Sequence, residues 1–239
     1  MPKIAIVAAL ESEVRGLTGN WSRFEKEYAG RRFVFFEQGE TVAVCGGIGV
    51  EPARRAAEAV IALYHPALVQ SVGFAGSLTE DLRVGDIFAP RVVVDARDGS
   101  RTEIAGGEGT LVTFMAVAGA QQKAKLAQSH GAQAVDMEAA AVAAGARAHG
   151  IAFGATKVIS DEFNFEMPRM AGFIDAQGRF RALPFVLFAA CRPWLWRRVA
   201  TLARNSSRAS RALGERLKSL PRPSADVVEA KTNQISSKS

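Results

Sequence analysis

The sequence predicts a three-layer α/β domain in which a mixed central sheet is flanked by helices. Apolar runs of strand length alternate with alanine-rich stretches of helical length. The helical stretches open on proline or end at glycine. With 239 residues, 48% of them hydrophobic, such a domain can bury its core without a disulfide or a structural metal.

The first apolar run, residues 4–9, stops before Glu11. It is too short for a signal-peptide core and has no small-residue cleavage site, so it reads as a strand. Further strands are expected at 34–37, 42–45, 68–73, 87–94, 111–117, 134–137 and 153–158. Helices are expected at 52–64, which starts at Pro52, and at 121–130 and 138–149, each followed by a glycine. The stretch 95–109, rich in Gly, Asp, Arg and Thr, reads as a surface loop. From Pro184 an apolar stretch leads through Arg192-Pro193-Trp194-Leu195-Trp196 into an Arg- and Ser-rich helical stretch at 199–220. Its apolar part is too short to span a bilayer. The expected division is a main domain over 1–183, a basic amphipathic helical segment over 184–220 and a disordered polar tail over 221–239.

The net charge of +6 is uneven, because residues 192–218 carry many Arg and Lys against the single acid Glu215. The remainder is close to neutral, which excludes a whole-surface nucleic-acid footprint. A basic C-terminal element suits anionic lipid or nucleic acid. It lacks a recognised nucleic-acid module, and its aromatics end at Trp194 and Trp196. The plain alternative is a helix packed on the core or on a sister subunit. Cys45 and Cys191 have neither metal-ligand nor disulfide spacing, and a reducing cytoplasm is expected.

Three segments carry candidate chemistry. Gly46-Gly47-Ile48-Gly49 joins a strand to a helix start, where free N–H groups suit an anion or sugar oxygens, although a bare tight turn has the same composition. Gly73-Phe74-Ala75-Gly76-Ser77 and the later Val84-Gly85-Asp86 lie at a strand's carboxyl end, where open α/β sheets bind ligands. Asp86 alone reads as turn chemistry. Val135-Asp136-Met137-Glu138-Ala139 and Lys157-Val158-Ile159-Ser160-Asp161 place acids where apolar strands run out. Converging carboxylates can protonate a leaving base, hold sugar hydroxyls and activate water.

Taken in order over about residues 3–165, these motifs and the opening Ile4-Ala5-Ile6-Val7-Ala8-Ala9-Leu10-Glu11-Ser12-Glu13-Val14 resemble the methylthioadenosine/S-adenosylhomocysteine nucleosidases of the nucleoside phosphorylase superfamily. The resemblance implies a nucleoside phosphorylase-like fold, no metal or redox cofactor, and at least a dimer. It implies Glu13 as the acid that positions and deprotonates attacking water, and Asp161 as the proton donor to adenine N7. It implies Glu138 on the ribose hydroxyls and Met137 against the sugar, with Gly47, Gly49, Phe74, Val117 and Lys157 also on the substrate. Phe74 stands where nucleosidases carry serine and Lys157 where they carry arginine, so water and phosphate both remain open as nucleophile, phosphate then being a co-substrate.

The Ala116-Val117-Ala118-Gly119 region and the Trp-bearing tail also resemble hopanoid-associated phosphorylases. These are assigned to remove adenine from adenosylhopane, which implies a lipid-linked adenine nucleoside as substrate and a peripheral contact with an anionic membrane. The alternatives are methylthioadenosine/S-adenosylhomocysteine cleavage and a non-catalytic nucleoside-binding protein on the same fold.

Overall fold

A computed structural model describes residues 4–166, 171–175, 177–190 and 192–219. The tail expected at 221–239 lies outside the described residues. In chain order the elements are β1 (Ile4–Ala8), α1 (Glu11–Thr18), β2 (Ser22–Tyr28), β3 (Arg31–Gln38), β4 (Thr41–Cys45), α2 (Val50–Tyr64) and β5 (Leu68–Ser77). Then follow β6 (Ile87–Phe88), β7 (Val92–Asp95), β8 (Arg101–Glu103), β9 (Thr110–Thr113), α3 (Ala120–His130), β10 (Ala134–Asp136), α4 (Ala139–Ala148), β11 (Ala152–Asp161), α5 (Ala182–Ala190) and α6 (Pro193–Ser219).

The strands form one mixed sheet of order β2-β3-β4-β1-β5-β10-β9-β7-β8, with β11 pairing β5 and β6. β5 is its hub. Leu68–Ser71 run parallel to β1, Gly76 and Ser77 meet β10 antiparallel, and β11 runs parallel along most of its length. The sheet separates two helical layers, as strand alternation requires. On one face Ala5, Val7, Phe35, Val44 and Val69 pack against α2 and α4, whose Ala56, Ala57, Val60, Val142 and Ala146 let the helices lie close. On the other, Ile6, Ala8, Val72 and Val158 pack against Val14 of α1 and Ala209, Leu213 and Leu217 of α6. Leu126 of α3 closes a further cluster over Val112 and Val135.

Several expected boundaries shift for identifiable reasons. The run 87–94 is two strands, β6 and β7, because Pro90 lies between them and cannot donate to a ladder. The run 111–117 ends as a strand at Thr113, and the loop 95–109 contains β8, which pairs antiparallel with β7. β2 was not expected, because its sequence Ser-Arg-Phe-Glu-Lys-Glu-Tyr is charged and mostly exposed, as suits a sheet edge. It pairs with β3 through a turn in which Ala29 and Gly30 both have positive φ, 49° and 73°.

The segment from residue 184 packs as part of the same body. Its second half supplies buried Leu213 and Leu217, and Gly214 lies so close to Gly16 of α1 that an added Cβ would be 3.1 Å from the Gly16 Cα. Because Leu213 is fully buried, Leu213→Ala is expected to lower the unfolding free energy by about 2–5 kcal/mol in urea denaturation. An unchanged midpoint would show that α6 is not part of the core.

Candidate active site

The carboxyl ends of β1, β5, β10 and β11 open into a cavity of about 380 Å³. Glu13, Glu138 and Asp161 all line it. Each carboxyl group is held by identifiable donors.

Glu13 sits in the first turn of α1 and is almost fully buried. Its Oε2 accepts the N–H groups of Ala9 and Leu10 at 3.0 and 2.9 Å, so the side chain caps its own helix start. Its Oε1 accepts the Phe74 N–H of β5 at 3.1 Å. Gly73 makes this approach possible: its φ is 154°, and an added Cβ would stand 2.9 Å from Oε1. Burial raises the Glu13 pKa above the usual carboxylate value, against the lowering by these N–H groups and by Lys157.

Glu138 precedes α4. Its Oε1 accepts the Gly49 N–H at 2.9 Å and its Oε2 the Met137 N–H at 3.2 Å. The acceptor at the glycine turn is therefore the protein's own carboxyl group. Burial first, then the charges of Asp136 and Glu13, push the Glu138 carboxyl up to about 8, while Lys157 and the Gly49 N–H pull the other way.

Asp161 closes β11, where a register shift between Ile159 and Asp161 locally re-aims the strand. Its Oδ1 accepts the Ser160 hydroxyl at 2.7 Å, and its Oδ2 pairs with the Lys123 ammonium of α3. Lys123 also donates to the Glu162 carbonyl at 2.6 Å. A Cβ at Gly76 would lie 2.8 Å from Asp161 Oδ2, so only glycine leaves room for this pair.

The other expected site residues divide. Phe74, Val117 and Met137 line the cavity. Gly47 and Gly49 stand behind its wall: Gly49 donates to Glu138, and Gly47, at φ 104°, lies under the Gln177 carbonyl, 2.5 Å from where a Cβ would stand. Lys157 is buried beneath the site and holds Asp136 Oδ2 at 2.8 Å and the Ser71 hydroxyl at 3.0 Å. Desolvation lowers its pKa, but Asp136 and Glu138 outweigh that and raise it. Asp136 also accepts the Thr113 hydroxyl at 2.6 Å and the Ala139 N–H at 2.9 Å, which caps α4.

Sequence reasoning missed Lys123, because an Ala-, Gln- and Lys-rich helix reads as solvated. It also missed the wall formed by Ile174, Phe180 and Phe185 with Val199 and Leu202 of α6, which makes one side of the cavity apolar. Among the described residues, no group of His, Cys, Asp and Glu is placed to hold a metal ion.

Buried carboxylates converging at strand ends of a three-layer α/β fold define an enzyme site. The chain belongs to the phosphorylase superfamily, which it matches over residues 3–118 and 107–182. It shares its fold with 5′-methylthioadenosine nucleosidase of Arabidopsis thaliana at TM-score 0.71 and 17% identity, covering 93% of this chain and 98% of that one. Futalosine hydrolase of Helicobacter pylori superposes at TM-score 0.68 and 17% identity, with 91% and 96% of the two chains covered. The methylthioadenosine/S-adenosylhomocysteine nucleosidase of the same organism, in complex with a substituted pyrrolidin-3-ol, gives 0.68, 18%, 91% and 97%. No curated protein matches the sequence.

Two expected outcomes follow from the site's charges. Lys157→Met leaves Asp136 buried without its cation and is expected to cost about 3–5 kcal/mol of stability by chemical denaturation. A loss below 1 kcal/mol, on the order of an exposed pair, would mean that the ion pair does not hold the site. Since the folded Glu138 pKa lies near 8 and the ordinary value is 4.5, the folded chain binds more protons between these limits. Its contribution to stability is present at low pH and is lost as pH rises through about 8. Glu138→Gln should flatten the stability–pH curve over that window, and parallel curves for the two proteins would contradict the assignment.

Proposed function

We propose that the protein hydrolyses the N-glycosidic bond of an adenine nucleoside carrying a large apolar 5′ substituent, the lipid nucleoside adenosylhopane being the favoured substrate. The observation that carries this reading is one cavity in which Glu13, Glu138 and Asp161 share the wall with the apolar side chains of Phe180, Phe185, Val199 and Leu202. The solved structures named as nucleosidases and as futalosine hydrolase support cleavage at this bond.

In this reading Asp161 takes up a proton from solvent as the substrate binds and passes it to adenine N7 as the bond from C1′ to N9 breaks, so that the base leaves neutral and positive charge develops on the ribose. The Lys123 ammonium then faces the carboxylate left on Asp161. Glu138, pushed up toward neutral pH, exchanges hydrogen bonds with the ribose hydroxyls. Glu13 orients a water on the opposite side and takes its proton as the oxygen bonds to C1′; its raised pKa makes it a stronger base than an exposed carboxylate. The products are adenine and the free sugar.

Water is favoured over phosphate by the cations. Among the described residues, the lysine on the cavity wall is Lys123, engaged by Asp161 and the Glu162 carbonyl, while Lys157 is engaged by Asp136 and Ser71. Neither is available to a phosphate dianion, and two nearby carboxylates would repel one.

Incubation with adenosylhopane, methylthioadenosine and adenosine, with and without phosphate, tests the reading. Adenine and free sugar are expected at a rate independent of phosphate, with the highest kcat/KM for the apolar 5′ group. A sugar 1-phosphate product would overturn hydrolysis, and absence of adenine release from every nucleoside would overturn the reading itself. Asp161→Asn should lower kcat by about two to four orders of magnitude while the protein stays folded. Near-normal turnover in that variant would remove Asp161 from the mechanism.

A further inference from the structure

We propose that α5 and the first turns of α6 form a docking surface for a bilayer rich in anionic lipid. The part of the proposal that concerns substrate loading rests on the reading above; the docking itself does not.

The surface is apolar where solvent should find polar groups. On α5, Phe185 and Ala189 turn inward and are buried, while Leu183 and Leu187 on the outer face are 70% and 61% exposed and Val186 beside them is also exposed. Trp194, at the start of α6, is 71% exposed, and Trp196 is exposed as well. The Trp196 indole N–H is already committed to the Ala189 carbonyl at 3.0 Å, so its ring offers apolar surface without a polar group left to satisfy. Large apolar side chains gathered on one short hairpin mark an interaction site.

Charge identifies the occupant. Between Asp175 and Glu215 the sequence has arginines and no acid. Arg181, Arg197, Arg198 and Arg204 are exposed around the patch, and Arg192 is held beside it by the Phe188 carbonyl at 2.9 Å and by stacking on the Phe188 ring. A second copy of the chain meeting this face about a twofold axis would set arginines against arginines. A layer of phosphate head groups over hydrocarbon complements both features. No described helix is long and apolar enough to cross a membrane, so the contact is peripheral.

The same helices give their other faces to the cavity, through Phe185 on α5 and Val199 and Leu202 on α6. A nucleoside whose 5′ group lies in the bilayer then meets apolar side chains on its way from lipid to the carboxylates.

Co-sedimentation of the full chain with phosphatidylcholine vesicles, with and without phosphatidylglycerol, tests the docking. Binding is expected only to the anionic vesicles, and it should weaken in high salt. Arg197→Glu with Arg198→Glu should lower the partition coefficient on the order of tenfold or more. Leu187→Glu with Trp194→Glu should do the same. Both pairs lie outside the cavity wall and should leave turnover of a soluble adenine nucleoside and the light-scattering mass unchanged. Should the glutamate pair misfold by circular dichroism, Leu187→Ser with Trp194→Ser replaces it. Failure of the wild type to bind, equal binding to neutral vesicles, or undiminished binding by folded variants would overturn the proposal. A changed oligomeric mass with no effect on vesicles would give the face to a second copy instead. Because vesicle binding needs no nucleoside, its failure is distinct from failure of the hydrolytic reading.

Discussion

The buried ion pair between Lys157 and Asp136 is the constraint on which the site depends. Lys157 on β11 reaches Asp136 at the end of β10 and Ser71 on β5, and Asp136 in turn accepts from Thr113 on β9. Strands that contribute to different parts of the sheet are thereby fixed at one level, with Glu138 directly above. Two desolvated charges are costly unless paired and fully hydrogen-bonded, and here almost every available partner is supplied by a neighbouring strand or by the α4 N-terminus. The arrangement gives specificity of register as much as stability, and it sets the field in which Glu138 titrates.

Around that pair, the three carboxylates are supported in different ways. Glu13 and Glu138 are held by backbone N–H groups at helix starts and strand bends, which fix orientation without adding mobile charge. Asp161 is held by side chains, a hydroxyl and an ammonium. The glycines at 73 and 76 serve the same end, since each clears the volume that a carboxylate oxygen occupies.

Much of this was legible in the sequence. The alternation of apolar runs and alanine-rich helices gives the layers, because each run buries both faces of a strand or one face of a helix. Glu138 and Asp161 stand out because acids follow apolar strands, whereas Glu13 was indicated by the family resemblance of the opening motif. Lys157 was legible as a cation at the site, suited to a substrate or phosphate, but its partner was not: Asp136 lies on another strand, and only the folded register sets the two side by side. That partner decides whether the lysine faces a ligand or the protein interior. Lys123 was hidden by its helix, whose composition gives no clue that one lysine points inward. The stretch 199–220 reads equally as a basic surface element or as a packed helix because arginines dominate its count, and the apolar positions 209, 213 and 217, at the spacing of one buried helix face, fit the second.

The glycine contact between α1 and α6 has a consequence for how the cavity can change. Gly16 and Gly214 seat α6 against the helix that carries Glu13, whereas the cavity-facing positions of α6 end at Ser206. One helix thus contains a segment that lines the cavity and a segment that belongs to the scaffold, with the seam between residues 206 and 209. Substitutions at positions 199–206 can reshape the cavity wall without touching the packing of α6 on α1. Changes that run on through Gly214 would alter the foundation together with the wall.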